Sequence, residues 1–227
     1  MTVREMSRLD PPTLRRRRQR QEVLDAILLA ARDVMRADGV AALSLHEVAR
    51  RVGLRAPSLY EYVDGKHGLY DTLFLLGVRL FAQHVERASA ELTPNSSTAE
   101  QLRARLIQYL TFAHEQPDLY SLVFERPVPG FEPSAANMAA ATDLLAASRA
   151  AWAAMLSSGE LQPDLTPDQS HDLFIALQHG LTAFHLANEP HLPVGQGRFG
   201  GLIEAAVALF ITSWGNASLP PSGRDHP

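Results

Sequence analysis

Between Ser44 and Val63 the chain starts two helices and stops one, and connections of only a few residues force those helices to cross steeply. Ser44-Leu45-His46-Glu47 has capping-box spacing: the serine hydroxyl can accept from the Glu47 amide, and that carboxylate can reach back to the amide of Ser44. This helix is expected to run to about Val52 and to end at Gly53. Pro57 suits a first helical turn, so another short helix is expected over about Pro57 to Val63. Ahead of both, Val23, Leu24, Ile27, Leu28, Ala31, Val34 and Met35 recur at three and four, which predicts an amphipathic helix from about Gln19 to Ala37, stopped by Gly39. Ala49 is small where the helices approach, and Gly53 permits the turn. Val48, Val52, Leu54 and Leu59 can bury, which leaves Arg55, Ser58, Glu61 and Tyr62 outside and Lys66 at the start of the next helix. Such a pair, with its second member exposed, suits a major groove about 12 Å wide.

The remainder reads as helix throughout. Asp64 can cap a fourth helix to about Leu92, and Ser97 to Glu100 is a capping box opening a helix that Pro117 interrupts. Leu119 to Phe124 reads as a short helix, and Arg126 to Pro133 as a loop with three prolines and a glycine. An alanine-rich helix is expected from about Ser134 to Ser158. Thr166, Pro167 and Gln169 supply the start of one reaching about Asn188, and a last helix should fill Phe199 to Gly215. No stretch alternates with period two for long enough to make a strand, so the class is all-α with about nine helices. The expected division is a tail over 1–14, a head over 15–64, a larger helical body over 65–216 and a tail over 217–227, both tails disordered.

Charge separates head from body. Residues 1–63 hold 12 arginines against 8 acidic residues, a balance of +4, whereas 64–227 hold 9 basic against 17 acidic, a balance of −8. Five of the six positions from Arg15 to Arg20 are arginine. A basic end on an acidic body suggests that the head meets a polyanion. The single lysine among 21 basic residues is Lys66, a compact ammonium at a helix start that suits a backbone phosphate. The chain has no cysteine, which excludes disulfides, thiolate metal sites and thiol nucleophiles and fits a reducing compartment. The longest apolar run, Ala205 to Ile211, is far below a membrane crossing, and MTVREMSRLD has no apolar core of a secretory signal, so a soluble, cytoplasmic protein is expected.

Gly53, Ser58, Leu59, Tyr60, Val63, Lys66 and Leu69 follow one another in a pattern that resembles the DNA-binding head of TetR-type transcriptional regulators. The resemblance covers about residues 16–73. Many members carry phenylalanine where this chain has Val63, and Gly68 stands where most have a helix-favouring residue. The resemblance implies a helix-turn-helix head on a body that binds an effector and dimerises. It implies that Tyr60 and Lys66 hold phosphates, that Ser44 caps near the DNA backbone, and that Arg55, Ala56, Pro57, Ser58 and Tyr62 face the groove. Arg55 has the fork to pair with both acceptors of a guanine.

The body carries two stripes of small residues. Ala176, Gly180, Ala183 and Ala187 recur on one helix, and Gly201, Ala205, Ala208 and Thr212 on the last, so each permits close axial approach. The resemblance implies that these two helices form a four-helix homodimer interface. The segments LYSLVFERPVPGF and LQHGLTAFH look like a C-terminal type of that family marked by an HG pair, here His179-Gly180. Candidate effector-pocket residues are Tyr109, Phe112, His114, Phe124, Trp152, Phe174, Gln178, His179 and His185, with Asn137 and Phe184 beside them. His171, His179 and His185 are spaced by eight and six and do not share one helix face, so no metal site is expected. No nucleophile motif and no phosphate-cradling loop are present, so neither an enzyme nor a cofactor is expected. The expected function is a DNA-binding regulator, a repressor released from a near-palindromic operator by an unknown small molecule. In that picture the effector favours a conformer whose fourth helix swings the heads out of register. The alternative is a nucleoid-associated or structural DNA-binding protein without effector.

Overall fold

The computed structural model describes residues 12–215, so most of the expected tails lies outside the described residues. All regular structure among these residues is helical, apart from one isolated bridge between Leu161 and Gly215. The described residues form two compact units, 12–77 with 118–137 and 78–117 with 138–215.

In the first unit, α1 runs from Pro12 to Asp38. It starts earlier than Gln19 because proline is tolerated in a first turn and the arginine run that follows is a good helix former. Ile27, Ala30, Ala31, Val34 and Met35 bury its inner stripe. Gly39, at φ 91°, lets the chain turn into a 3₁₀ turn over Val40–Ala42. The helix α2 spans Leu45–Arg51 and α3 spans only Ala56–Leu59. The expected helix to Val63 is thus corrected. Beyond Leu59 the chain coils on in tighter turns, Tyr60 N donating to Pro57 O, Glu61 N to Ser58 O and Tyr62 N to Leu59 O. Gly65, at φ 67°, then opens α4, which runs to Ala90 and gives its first half to this unit.

The 118–137 segment joins this unit through a buried ion pair. The Asp118 carboxylate, with no exposed side-chain surface, accepts from Arg32 Nε at 2.7 Å and from Arg36 Nε at 2.9 Å. It lies in the four-residue helix Pro117–Tyr120, which widens into a π-helical turn over Ser121–Glu125. Arg126, in the left-handed region at φ 51°, ends that turn. Gly77 is required here: a Cβ at that position would lie 2.7 Å from Val123 Cγ2 and 3.4 Å from Leu119 Cβ.

The second unit contains the rest of α4, then α5 (Thr98–Glu115); with the Pro117–Tyr120 helix as α6, it continues with α7 (Ala135–Leu156, from Met138 on), α8 (Pro167–Asn188), α9 (Gly197–Gly200) and α10 (Ile203–Trp214). The expected capping boxes at Ser97 and Thr166 are both formed in full. The single last helix expected from Phe199 to Gly215 is corrected to two pieces. Glu189 accepts from the amides of Arg198 and Phe199 and so fixes a separate turn, and Gly201 falls between the pieces. Leu102, Leu106 and Leu110 of α5 pack with Trp152 and Met155 of α7, Phe174 of α8, and Val207 and Phe210 of α10. Trp152 Nε1 donates to Ser170 Oγ at 2.9 Å, so the largest core side chain is satisfied. No helix of the described residues is long and apolar enough to cross a membrane.

Candidate nucleic-acid interface

The site is built on three short turns. Ser44 Oγ accepts from Glu47 N at 3.4 Å and so starts α2. The return half of the expected box does not form, because the Glu47 carboxylate is taken by Arg50 and Arg51, each at 2.7 Å. These hydrogen bonds hold the Glu47 carboxyl down at about 2. Val48 and Ala49 bury the inner side of α2, and Leu59 that of α3. Val52 and Leu54, expected to bury, are half-buried.

What faces outward on α3 is a small, chemically mixed surface. Arg55 is the N-cap residue; its carbonyl accepts from Ser58 N at 2.9 Å, while its side chain is exposed and makes no hydrogen bond or ion pair with any described residue. Pro57 is exposed, Ala56 and Ser58 are half-buried, and Tyr60 keeps 61% of its surface in solvent. Tyr62 is half-buried beneath Arg20, whose guanidinium lies 5.3 Å from its ring centre. Arg20 also donates to Glu61 O at 2.8 Å. The arginine run of α1 is exposed from Arg15 to Arg20, so α1 carries charge and, through Arg20, grips the exit of α3. The sequence signalled the run but not that grip.

Lys66 is half-buried. Its ammonium donates to Ala41 O at 3.1 Å and sits 5.6 Å from the Tyr70 ring centre. The Tyr70 hydroxyl donates to Val40 O at 2.6 Å, and burial pushes this phenol up to about 12. The 3₁₀ turn is therefore held from below by two side chains of α4, and neither contact was evident from spacing.

The expected pocket residues stand in several settings. Trp152 and Phe174 lie inside the core cluster, and Tyr109 and Phe112 are buried on α5. The Tyr109 hydroxyl is 3.1 Å from His179 Nδ1. His114 and His185 face each other with ring centres 6.3 Å apart, and Gln178 is buried. Phe184 is 57% exposed and stacks on Phe199, 5.0 Å away. Phe124 and Asn137 belong to the first unit, where Phe124 packs on Tyr120 and Asn137 donates to Asp71 O. A cavity of about 480 Å³ opens between the end of α4 and α5, lined by His84, Arg87, Glu91, Glu100, Arg103, Gln108 and Glu115 among others. His84 Nε2 lies 3.5 Å from Glu115 Oε2. Burial, and then Arg87, push its imidazole below the usual range against the pull of Glu115. Among the described residues no group of three or more His, Asp or Glu side chains is placed to hold a metal.

The small-residue stripes lie on an open face. Ala176, Ala187, Gly201, Ala205, Ala208 and Thr212 are exposed, and Gly180 and Ala183 are half-buried. Leu173, Phe184, Leu202 and Leu209 are exposed beside them. A methyl group added at Gly180 would meet nothing within 4 Å.

Two short helices, Leu45–Arg51 and Ala56–Leu59, joined by a tight turn and with an outward-facing second member, define a helix-turn-helix protein. The chain belongs to the TetR family: residues 27–73 match the bacterial regulatory proteins of the tetR family, and residues 102–219 match the tetracyclin repressor-like C-terminal domain. It is 28% identical over 156 residues to the HTH-type transcriptional regulator Rv1816 of Mycobacterium tuberculosis, a match covering 68% of this chain and 65% of that protein. The fold is similar to that of a protein of unknown function from Rhodococcus sp. RHA1 (TM-score 0.70, 20% identity, 86% of this chain and 96% of that one). It is also similar to AibR, solved with isovaleryl coenzyme A and operator DNA (TM-score 0.64, 16% identity, 85% and 100%).

Proposed function

We propose that this chain is a sequence-specific DNA-binding transcriptional regulator, a repressor that acts as a homodimer and leaves its operator when a small molecule binds the second unit. The observation that carries this reading is Arg55: an exposed guanidinium without an internal partner at the N-terminus of α3, the end of a recognition helix that contacts base edges. Arg55 reads a guanine through paired hydrogen bonds. Ala56, Pro57, Ser58 and Tyr62 line the groove, while Ser44, Tyr60 and Lys66 meet phosphates. The exposed arginines of α1 add sequence-independent attraction.

The exposed apolar face of α8 and α10 supports pairing, because a stripe of small residues flanked by Leu173, Phe184 and Leu209 is a poor surface to leave in water. Two heads then reach successive major grooves, about 34 Å apart. The neighbour AibR was solved with both an acyl-coenzyme A and operator DNA; on this proposal the present chain likewise couples a ligand to DNA. The test is selection of duplexes from a random pool followed by fluorescence anisotropy. A near-palindromic consensus bound by two chains is expected. Retention of every duplex alike, or of none at low ionic strength, would refute the reading.

A further inference from the structure

The cleft between the end of α4 and α5 lies wholly within the second unit, and the residue pattern makes it hollow. Along α5, Glu100, Ala104, Gln108, Thr111 and Glu115 recur at four, four, three and four, so they share one helix face. His84 and Ala88, four apart on α4, line the other side, with Glu91 just past the end of that helix. His84 meets Glu115 at one end and the link 91–97 joins the helices at the other, so the two stripes run antiparallel. Ala88 and Ala104 carry nothing beyond a β-carbon, which leaves the space of about 480 Å³ between the helices.

Acceptors without donors dominate its walls. Gln108 Oε1 is buried and has no hydrogen-bond partner among the described residues, a costly state for a polar atom. The one ion-pair contact of Glu115 with a described residue is His84 Nε2, at 3.5 Å. His84 is 8% exposed, and burial, then Arg87, push its imidazole below the usual range, so at neutral pH it is no counter-cation for Glu115. Glu91 makes no hydrogen bond or ion pair with any described residue. Glu100 keeps its charge while accepting from Ser97 N. The two arginines of the lining are engaged or outlying. Arg103 gives two hydrogen bonds of 2.6 Å to Glu204, and Arg87, exposed at the rim, turns its Nε to Gln83 O at 3.3 Å. Three carboxylates thus face two guanidinium groups, one of which is answered from outside the cleft.

We propose that this cleft binds an aliphatic di- or polyamine, and that such an amine is the effector class of the protein. One ammonium meets the Glu115 carboxylate at the His84 end, a charge-assisted hydrogen bond. A second nitrogen donates to Gln108 Oε1, two turns or about 10 Å away along α5. The methylenes between them lie against Ala88, Ala104 and Ile107 of the lining. Aliphatic amines carry their charge at neutral pH, as a lysine side chain does, and the carboxylates of the cleft repel acids. This inference rests on the reading of the second unit as an effector unit, and it specifies the effector's chemistry.

The test is calorimetric titration of the full chain, without DNA, with cadaverine and with spermidine, each against a diol of matched length, and with magnesium chloride. At least one amine is expected to bind saturably and about tenfold or more tighter than its diol, with magnesium much weaker. Glu115→Gln is expected to weaken amine binding about tenfold. Ala88→Leu, which fills the cleft, is expected to abolish it at an unchanged helical spectrum. Asp143→Asn, at an exposed carboxylate of α7 outside the cleft, is expected to leave it as it was. Operator bound to the unaltered chain is expected to be released at amine concentrations that leave the Glu115→Gln complex intact. Amines no tighter than diols or magnesium, full binding in Glu115→Gln or in folded Ala88→Leu, or an equal loss in Asp143→Asn would overturn the site. Release of both complexes alike would overturn its role as the effector site. Because the titrations contain no DNA, their failure leaves the operator reading standing, and failure to bind any duplex leaves the amine site standing.

Discussion

Arg55 and Lys66 lie on the same small surface but are held differently, so their removal should leave different signatures. The Arg55 side chain is exposed and without a partner. Arg55→Ala is expected to weaken operator binding and relax one base position by about 1–3 kcal/mol, read by anisotropy across operator variants; a uniform loss would refute base reading. Lys66 already donates to Ala41 O. Lys66→Ala is expected to weaken all sequences alike, to lower the salt slope of binding by about one per chain, and to cost about 1 kcal/mol of stability as that carbonyl loses its donor. A lowered Tm with an unchanged slope would confine Lys66 to holding the turn. Tyr70 gives a pH signature. Its buried phenol is pushed up to about 12, against about 10 in an unfolded chain. The neutral form is favoured by folding, so its contribution is complete below pH 10 and lost as pH climbs from 10 to 12. Denaturant titrations over that range should show stability falling, and Tyr70→Phe should flatten the fall.

At the scale of elements, what could be read in advance depended on how local the cause is. Ser97 and Thr166 form complete capping boxes because all the required atoms sit within four residues. Ser44 forms half of one, since Arg50 and Arg51 compete for Glu47. The early start of α1 and the division between α9 and α10 were not legible: the first rests on helix propensity of a charged run, the second on Glu189 reaching nine residues along the chain. Tertiary pairing is invisible in spacing altogether, and Asp118 is the clearest case. Nothing near it in sequence announces Arg32 and Arg36. Asp118→Asn is expected to destabilise the first unit by about 3–5 kcal/mol in chemical denaturation, because two guanidinium groups lose a buried anion. A change under about 1 kcal/mol would show that the pairing is incidental.

At the scale of the whole molecule, the pattern of a head and body was legible because apolar periodicity and capping recur along the chain. Periodicity cannot separate an aromatic ring that fills a core, such as Trp152, from one that lines an opening. The open face of α8 and α10 predicts assembly: sedimentation should give twice the chain mass, and Ala208→Arg should give single chains with weakened operator binding but an unchanged helical spectrum. Persistence of the pair in Ala208→Arg would move the interface elsewhere. One consequence follows from the near-absence of lysine. With 20 arginines and one lysine, the molecule offers amine-directed reagents a single side-chain target, and that target stands beside the 3₁₀ turn of the head. Reductive methylation would therefore act as a built-in footprint, with shielding by duplex reported from one known side-chain atom.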